Sequence, residues 1–568
     1  MSESRGPIGF VVGGSLKDNL KVRLTVPPDR VQEGAFVVIE SGFWLFYGLV
    51  TDLRLSAVDD RYAEGLPAGR LPDQLENIIR EETLSVDLEV LPALMLERGP
   101  DPGSDEYHDW KREQDAKSSP QRARPVKTVP LHHAPVRAAS SGDIEEIFGQ
   151  DKKGYFVLGN TREQGHPVRI NLAKFIQRSS GIFGATGTGK SFLTRMVLAG
   201  LIHFNAASVL VFDMHNEYGF DDTASDTGQR VIGLKTKFPG RVRVVGLGRG
   251  AQIRGQSPDF NLEIPLSALQ PADIMLLSRE LNLRETTPAT LDALVKTFGR
   301  DDWFREFRDL QVGTLIDNGE GKMIPAPGSV AHWANANGVN IMAAEALHSK
   351  LRRVFGKNYL VENPAADGIR EIVNLLEGGQ HVILSFGKYE SDLDYLLVSN
   401  LLTRTIRRRW EKLTNDFRSS GKEEPQPLVL VVEEAHKLLN REMAAQTTFS
   451  RIARELRKYY VTLLIVDQRP SQIYDEVMSQ LGTRISGWLG DEEDIRAVLS
   501  GLAGRQALRG MLSRLQPKEE VLLLGWGVPM PLPIRSRRYN EDFWKELIGD
   551  QMRVDDQSAE DSIKELGF

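Results

Sequence analysis

Residues 184–191 have the sequence Gly-Ala-Thr-Gly-Thr-Gly-Lys-Ser, and this stretch decides the fold class of the chain. It fits the phosphate-binding pattern G-x-x-x-x-G-K-[ST], which a chain of this length contains by chance on the order of one time in fifty. A short apolar segment at 181–183 precedes it, and apolar residues at helical spacing follow at 192–198. The order of strand, glycine-rich turn and helix predicts a phosphate site in an α/β domain.

The residue types in this stretch match the chemistry of a nucleoside triphosphate. Lys190 is expected to reach the β- and γ-phosphate oxygens, and the Ser191 hydroxyl to complete the coordination shell of a Mg²⁺ ion. The alternative is a flexible turn that happens to contain a lysine. ATP and Mg²⁺ are the predicted cofactors, and the residues predicted to surround the nucleotide are Gly184, Thr186, Gly187, Thr188, Gly189, Lys190, Ser191 and Phe192.

Composition narrows the class of protein. The chain has 568 residues, 41% of them hydrophobic, which suggests two to four domains. The N-terminus lacks a basic start followed by an apolar stretch, and no run approaches the roughly eighteen apolar residues that span a bilayer, so we expect a cytoplasmic protein without a membrane partner. Because the chain has no cysteine, and its ten histidines show no metal-ligand spacing beyond the pair His132-His133, Mg²⁺ on ATP is the only metal expected.

The net charge of −7 is unlike that of a small DNA-binding domain, whose surface is usually basic. It does not exclude nucleic acid, because a ring-shaped protein needs positive charge only along its channel. Two basic clusters are candidates for phosphate contacts, although an ordinary exposed hairpin is the alternative for the first. They are Lys235, Lys237, Arg241 and Arg243, and, on a predicted helix, Arg407, Arg408 and Arg409.

The first hundred residues predict β structure. Short strand-like runs are separated by Gly, Pro and Asp turn signals, and they lie at 8–13, 20–25, 35–40, 44–53 and 84–91. A small barrel is the expected fold, because closure protects the edges of short strands. The polar stretch from Arg98 to about Lys127 is predicted to be a loop or linker, and the first domain is placed at 1–150.

Four later runs are apolar throughout and end in polar residues: 208–213, 381–385, 428–434 and 461–467. This pattern is typical of central strands in a parallel sheet that is covered on both faces, with ligands bound at the strand ends. Helical spacing at 255–375 predicts an insertion that divides the sheet domain into 151–254 and 376–540. Within the second part lie a strand at 521–525 and a proline-rich arm at 529–533, and an acidic tail follows at 541–568.

Two acidic residues end the apolar run at 428–434. Glu433 is predicted to hold Mg²⁺ through its coordinated waters, and Glu434 to orient and deprotonate the attacking water. Taken alone, a strand that ends in two solvated acids is the better interpretation. Next to a phosphate-binding motif, the functional interpretation is favoured.

Basic and amide residues at 451–468 extend the predicted site. Arg451, Arg454 and Arg457 recur every three residues and are predicted to share one helix face. That face is either solvated or places Arg457 on the γ-phosphate of a neighbouring subunit, where an arginine supplied in trans stabilises transition-state charge. Gln468, at the end of the next strand, is a γ-phosphate sensor or a structural glutamine.

Five segments together resemble the HerA family of hexameric DNA translocases, in the HerA/FtsK branch of RecA-like ATPases. They are GATGTGKS at 184–191, FDMHNEYG at 212–219, VVEEAH at 431–436, RIARELRK at 451–458 and DQRPS at 467–471. The N-terminal β region is similar to that family's small barrel, so the resemblance covers nearly the whole chain. It implies an α/β fold: a RecA-like P-loop NTPase core with a mainly parallel sheet, an N-terminal β-barrel and a helical insertion.

The resemblance also implies an assembly and residue roles. A homohexamer would bind ATP at its subunit interfaces and double-stranded DNA in its central channel. Lys190 and Ser191 take the phosphate and Mg²⁺ roles. Glu434 becomes the catalytic base, Gln468 the sensor and Arg457 the finger in trans.

Further residues are implied with less support from their own chemistry. Arg178 matches a second interface arginine. Asp213 and Glu217 are expected near the nucleotide, with Asp213 supporting the Mg²⁺ shell, whereas His215 and Asn216 are equally compatible with structural roles. The sequence departs from the family pattern at Asp467, where relatives often carry a small hydroxyl residue, so hydrogen bonding around the sensor is expected to differ.

Three functions are compatible with this pattern. The first is an ATP-driven translocase or helicase that feeds or opens duplex DNA for a partner, in DNA end processing or anti-phage defence. The family implies a NurA-like nuclease, or in defence systems a nuclease or sirtuin-like NADase, docked on the barrel face. The second is a hexameric, ATP-regulated scaffold that assembles and activates an effector enzyme. A conjugation or secretion coupling ATPase is disfavoured by the missing membrane segment.

Overall fold

The computed structural model describes residues 6–16, 18–57, 84–100, 104–116, 123–223, 228–313, 315–317, 323–444, 448–502 and 504–549. The chain is divided into two compact units. The first unit comprises Met1–Phe175, Ile182–Leu193 and Gly482–Arg538. The second unit comprises Ile176–Gly181, Thr194–Leu481 and Tyr539–Phe568.

A closed antiparallel barrel forms the N-terminal part of the first unit. The strands are β1 (Gly9–Gly13), β2 (Leu20–Leu24), β3 (Phe36–Ser41), β4 (Trp44–Ala57), β5 (Leu84–Glu97), β6 (Arg124–Pro125) and β7 (Pro135–Ala138). They pair in the order β2–β1–β7–β3–β4–β5–β6, and β2 also pairs with β5, which closes a ring of six strands. Alternating apolar residues such as Val22, Ile39 and Val90 fill its interior. The prediction of a small barrel is confirmed.

The linker predicted from Arg98 to Lys127 is partly wrong, because it contains the helix α1 (Asp105–Ala116). This segment has almost no apolar periodicity, so its sequence pattern is that of a loop. Its Glu, Lys, Arg, Gln and Ala residues nevertheless favour a helix, and Asp109 pairs with Arg112 one turn later at 2.7 Å.

The helix α2 (Ser141–Phe148) is tied to the barrel by one buried carboxylate. Asp143 accepts hydrogen bonds from the Ser140 backbone N–H at 2.8 Å and from two Arg137 guanidinium nitrogens at 2.7 and 3.1 Å. Ser140 caps the same helix. Burial raises the pKa of Asp143, but the hydrogen bonds from Arg137 and Ser140 outweigh it, so that the pKa lies below its usual range.

Two further strands of the first unit, β8 (Tyr155–Thr161) and β9 (Pro167–Asn171), form an antiparallel pair. The chain continues through α3 (Leu172–Ile176), β10 (Ser180–Phe183) and α4 (Lys190–His203). The division between the units passes through β10 and α4.

A parallel sheet forms the centre of the second unit. The strands of this unit are β11 (Ser208–Asp213), β12 (Asp222–Thr223), β13 (Arg230–Val231), β14 (Val242–Leu247), β15 (Phe260–Leu262), β16 (Ile264–Pro265), β17 (Leu315–Asp317), β18 (Met323–Pro325), β19 (Leu360–Val361), β20 (His381–Ser385), β21 (Leu428–Glu433) and β22 (Val461–Asp467). Six of them pair in parallel in the order β15–β14–β20–β11–β21–β22. Every residue of β11, β20, β21 and β22 is buried, as expected for strands covered on both faces. The prediction from their apolar runs is confirmed.

Helices cover this sheet and fill most of the predicted insertion. They are α5 (Leu234–Lys237), α6 (Pro271–Met275), α7 (Thr287–Phe298), α8 (Trp303–Asp309), α9 (Val330–Ala336), α10 (Ile341–Phe355), α11 (Gly368–Glu377), α12 (Asp392–Ser420), α13 (His436–Leu439), α14 (Arg441–Ala444), α15 (Thr448–Glu455) and α16 (Asp475–Gln480). Trp303 is fully buried, and its indole N–H donates to the Leu269 carbonyl at 3.0 Å. The sheet extends past the predicted start of the insertion at 255, because β15 pairs with β14.

The chain then returns to the first unit with β23 (Thr483–Ser486), α17 (Glu492–Val498), α18 (Arg505–Arg514), β24 (Glu520–Gly525) and β25 (Leu532–Ser536). These strands pair antiparallel in the order β23–β24–β25–β8. The prediction of a proline-rich arm at 529–533 is therefore wrong for its last two residues, Leu532 and Pro533, which belong to β25. Pro533 is tolerated because it faces Leu522 of β24 and precedes the residues that pair with β8.

Residues 541–549 are helical, and the rest of the predicted acidic tail lies outside the described residues. In the part of the chain that the structure describes, every helix is too short or too polar to cross a bilayer.

We predict that Asp143→Asn lowers the opening free energy of the barrel amides by about 2 kcal/mol at pH 7, because an amide cannot balance the partly buried Arg137 charge. The folded-state pKa of Asp143 is lowered, so its contribution is present above its unfolded pKa and is lost as pH falls through the folded value. Amide hydrogen exchange at pH 7 and pH 3 measures both effects. The control Asp109→Asn removes an exposed pair and should cost under about 1 kcal/mol; equal losses in the two variants would contradict the prediction.

Candidate active site

The phosphate-binding loop lies in the first unit, between β10 and α4. Gly187 and Gly189 have φ angles of +77° and +89°, a region that side chains with a Cβ rarely adopt. The Ala185 N–H donates to the Trp488 carbonyl at 2.9 Å, and the Thr188 hydroxyl donates to the Ala185 carbonyl at 2.7 Å. The loop is thus held by its own backbone and by the chain after β23.

Lys190 is the first residue of α4, and its ammonium donates to the Ala185 carbonyl at 3.0 Å. Ser191 and Phe192 follow in the first helical turn and are partly exposed, and Thr186 is exposed at the tip of the loop. The positive end of α4 and the loop N–H groups form the anion-binding arrangement that the sequence predicts.

The predicted carboxylates lie in the second unit, at the ends of neighbouring parallel strands. Asp213 ends β11, Glu433 ends β21 and Asp467 ends β22. The strand registers pair Phe212 with Val432 and Glu433 with Val466, so the three ends reach one edge of the sheet. The structure therefore brings together Asp213, Glu433, Glu434 and Gln468.

Asp213 is fully buried and holds the turn that follows β11. Its two carboxylate oxygens accept the Glu217 and Tyr218 backbone N–H groups at 2.8 and 3.0 Å. Burial raises the pKa of Asp213 above its usual range, and these two hydrogen bonds oppose the shift. Asn216, in the same turn, exchanges hydrogen bonds with the Gly387 backbone at 2.9 and 3.2 Å, which is a structural contact.

Glu433 accepts the Tyr218 hydroxyl at 2.6 Å on Oε1, while its buried Oε2 has no hydrogen-bond partner among the described residues. Burial, and then the nearby charges of Asp213 and Glu217, raise the pKa of Glu433 well above its usual range. A divalent cation would relieve both costs, so the residue fits a Mg²⁺ site. Among the described residues, no group of three or more His, Asp or Glu side chains could hold a metal.

Glu434 is partly exposed and stands just beyond β21, with a left-handed φ of +45°. The Gln468 amide lies 3.2 and 3.4 Å from its two carboxylate oxygens. A carboxylate in this position can accept a proton from water, and Gln468 orients it.

The two predicted interface arginines also lie in the second unit. The helix α15 ends at Glu455, and Arg457 lies exposed on the 3-10 turn Leu456–Tyr459 that follows it directly. The chain tightens there because Tyr460 turns it into β22 with a φ of +63°. Arg178 is partly exposed beside Ser179, whose hydroxyl accepts the Leu463 N–H of β22 at 3.1 Å.

The first basic cluster does not form the exposed hairpin considered as its alternative, because 234–237 is helical and 242–247 is a strand of the parallel sheet. Its cations have partners within the chain: Lys235 and Arg243 contact Asp259, Lys237 contacts Glu541 and Arg241 donates to the His203 carbonyl. The second cluster, on α12, is also paired. Arg407 contacts Glu411, Arg408 contacts Gln270 and Arg409 contacts Glu377. Acids distant in sequence provide most of these partners, which is why the pattern alone does not reveal them.

Three residues that support the site have no role assigned from the sequence. Tyr218 lies in the segment FDMHNEYG, and His436 lies in the segment VVEEAH. The available sequence signal for both was a polar residue close to the end of a buried strand. Tyr395 of α12 donates to the Glu433 carbonyl at 2.9 Å, and nothing in the sequence indicates this contact. His436 also lines a cavity of about 530 Å³ with Arg279, Asp392 and Lys437.

Comparison with known proteins shows which proteins this chain is similar to. Residues 156–406 match the family model described as the central domain of the helicase HerA. The chain is 23% identical over 436 residues to the DNA double-strand break repair helicase HerA of Pyrococcus furiosus, covering 73% of this chain and 74% of that one. It is 24% identical over 436 residues to the protein of the same name from Saccharolobus solfataricus, covering 75% and 77%. The chain is thus similar to HerA helicases over about three quarters of its length.

The match to the HerA central domain and to these two helicases confirms the predicted enzyme class, an ATP hydrolase of the helicase or translocase type. Among solved structures, VirB4 of Thermoanaerobacter pseudethanolicus is similar at 18% identity and a TM-score of 0.42, over 68% of this chain and 97% of that one. The bacterial conjugative coupling protein TrwB is similar at 13% identity and a TM-score of 0.43, over 71% and 92%.

We predict that Tyr218→Phe lowers the opening free energy of the β21 amides by about 1–3 kcal/mol, because the buried Glu433 carboxyl loses its hydrogen-bond donor. Amide hydrogen exchange measures the change. The matched control is Tyr395→Phe, which removes a hydrogen bond to the Glu433 carbonyl and should cost about 1 kcal/mol. Unchanged protection in Tyr218→Phe would show that the hydroxyl does not stabilise this carboxyl.

Proposed function

We propose that this chain is a HerA-family protein, a homohexameric, ATP-driven translocase or helicase that acts on double-stranded DNA. The observation that carries the proposal is the sheet edge in the second unit, where Glu434, held by Gln468, adjoins the buried Glu433. The first unit supplies a complete phosphate-binding loop. Each unit thus carries part of the set of groups that ATP hydrolysis requires.

Each residue has a role in this proposal. Lys190 would bind the phosphate oxygens, Ser191, Glu433 and Asp213 would support Mg²⁺, and Glu434 would accept the proton of the attacking water. Bound Mg²⁺ would neutralise charge on the β- and γ-phosphates. Asp213 acts through the turn that it holds, because both of its oxygens accept backbone N–H groups.

The names of the relatives support DNA as the substrate and repair as the setting. Both are described as DNA double-strand break repair helicases and align over about three quarters of each chain. The exposed position of Arg457 supports the proposal of a ring, because an exposed arginine can be supplied to a neighbouring subunit. We propose the cytoplasm as the location.

The barrel is the proposed docking face for a partner protein. It carries exposed large apolar residues, Phe43, Leu55 and Leu131, which are 66%, 91% and 68% exposed. Exposed apolar residues of this kind suit a protein partner. The proposed partner is a NurA-like nuclease, or a defence effector of the nuclease or sirtuin-like NADase type.

The pairing of the basic clusters favours a second candidate, a hexameric scaffold that uses ATP to assemble an effector enzyme. Lys235, Arg407 and Arg409 all have acidic partners within the chain. Cations that are already paired provide less attraction for a phosphate backbone. The two candidates differ in whether duplex DNA changes ATP turnover.

The deciding experiment is steady-state ATPase of the purified chain, with its mass in solution, with and without blunt duplex DNA. A translocase should form a hexamer whose turnover rises with duplex. Glu434→Gln should lose about 10²–10⁴-fold in kcat while it still binds ATP, because an amide cannot accept the proton. A hexamer that is indifferent to DNA would favour the scaffold, and normal turnover in Glu434→Gln would refute the assignment of the base.

Arg457→Ala should lower kcat about 10³-fold or more if this arginine stabilises the transition state in a neighbouring subunit. Mixing it with Lys190→Ala subunits should restore activity, because some interfaces then combine an intact loop with an intact arginine. Mixing it with the double variant Lys190→Ala/Arg457→Ala provides the control and should restore nothing. Equal activity in both mixtures would exclude a contribution in trans.

A further inference from the structure

We propose that Asp467 and His436 are positioning residues that hold Glu434 in its catalytic orientation. The proposal rests on the proposed function, because it concerns the same carboxylate. It adds a pair of side chains that act through Glu434 and that no sequence pattern assigned to the reaction.

Asp467 links the ends of two strands. Its Oδ2 accepts the His436 backbone N–H at 2.7 Å, and its Oδ1 accepts the Arg469 backbone N–H at 2.7 Å. The side chain is 1% exposed, so neither bond competes with bulk water. One carboxylate therefore joins the turn after β21 to the turn after β22.

His436 extends this link to Glu434. Its Nδ1 lies 3.0 Å from Asp467 Oδ2 and 3.5 Å from Glu434 Oε2. The ring is thus placed between a buried carboxylate, which fixes it, and the carboxylate that is proposed to activate water. The hydrogen bond to Asp467 raises the pKa of His436, and burial opposes this shift.

The backbone at Glu434 needs such support. A left-handed φ costs a residue with a Cβ about 1–2 kcal/mol, and Glu434 has a φ of +45°. The turn is held by the Asp467 bond to the His436 N–H and by the Lys437 N–H, which donates to the Glu434 carbonyl at 2.9 Å. Strain of this kind persists only where surrounding contacts enforce it.

Two side chains restrict the Glu434 carboxylate. Gln468 follows Asp467 directly and donates to the Glu434 carboxylate from β22, while His436 approaches Oε2 from the turn after β21. Both contacts depend on the strand end that Asp467 ties down. A carboxylate restricted in this way spends more time in the geometry that water activation needs.

The neighbouring cavity does not explain the pair as part of an anion site. Its cations are matched by acids, with Lys437 2.7 Å from Asp392 and Arg279 3.9 Å from Glu442. The cavity therefore offers little net charge to a phosphate. The Asp467–His436 pair instead faces Glu434.

The test compares Asp467→Asn, His436→Ala and the double variant with wild type in steady-state ATPase, with and without blunt duplex. Both oxygens of Asp467 accept backbone N–H groups, so an Asn amide group would face a donor in either orientation. Each single variant should lose about tenfold in kcat with an ATP KM within about twofold of wild type. The double variant should lose no more than the worse single variant, because the two residues act as a unit. The control Asp392→Asn, which contacts Lys437 beside the same cavity, should leave kcat unchanged.

Unchanged kcat in both single variants would overturn the proposal. A parallel loss of kcat, ATP affinity and thermal midpoint would also overturn it, because that result indicates a purely structural role. If Asp467→Asn does not fold, His436→Ala and the conservative His436→Gln decide: Gln retains an N–H donor and should recover part of the kcat lost in His436→Ala, and equal kcat in these two would overturn the proposal. A wild-type chain without ATPase activity would refute the proposed function and the pair together, whereas duplex-independent turnover would refute only the translocase.

Discussion

Carboxylates buried at the ends of parallel strands constrain the second unit more than any other interaction. Asp213, Glu433 and Asp467 are each at most 6% exposed, so each needs donors from the protein itself. Asp213 uses the two N–H groups of the turn after β11, and Asp467 uses the N–H groups of the turns after β21 and β22. The turns at this sheet edge therefore adopt conformations in which their backbone N–H groups donate to the buried acids.

Glu433 is the exception, because the described residues give its carboxylate fewer hydrogen-bond donors. It has one neutral donor, Tyr218, on one oxygen and no hydrogen-bond partner within the described residues on the other. A buried acid with so few donors, next to Asp213, is poorly stabilised as an anion by the protein alone. The same arrangement suits a carboxylate whose charge is balanced when a divalent cation binds. Structural acids and the proposed metal-facing acid are thus distinguished by their donors rather than by their position.

The sheet, the barrel and the phosphate-binding loop were predictable because each depends on local pattern. Apolar runs predict that β11, β20, β21 and β22 are buried strands of a parallel sheet. The glycines of 184–191 predict a loop with positive φ angles. The helix α1 was missed because a short charged helix has no apolar stripe. Contacts between distant segments, such as Lys235 with Asp259 or Tyr395 with Glu433, follow from the fold and have no signal in sequence spacing. The types of the site residues predict roles for them, and those roles stay predictions. The contacts that hold these residues in place had no signal in the sequence.

Asp467 illustrates how a departure from a family pattern acquires a physical meaning. A hydroxyl at the end of β22 offers one oxygen, which can accept from one or two donors but carries no charge. The carboxylate offers two oxygens, and here they accept two backbone N–H groups and a ring nitrogen. Charge-assisted hydrogen bonds of this kind are roughly twice as strong as neutral ones. The acid therefore binds the turn of Glu434 to β22 more firmly than a hydroxyl would, and its charge holds the His436 imidazole near the Glu434 carboxylate.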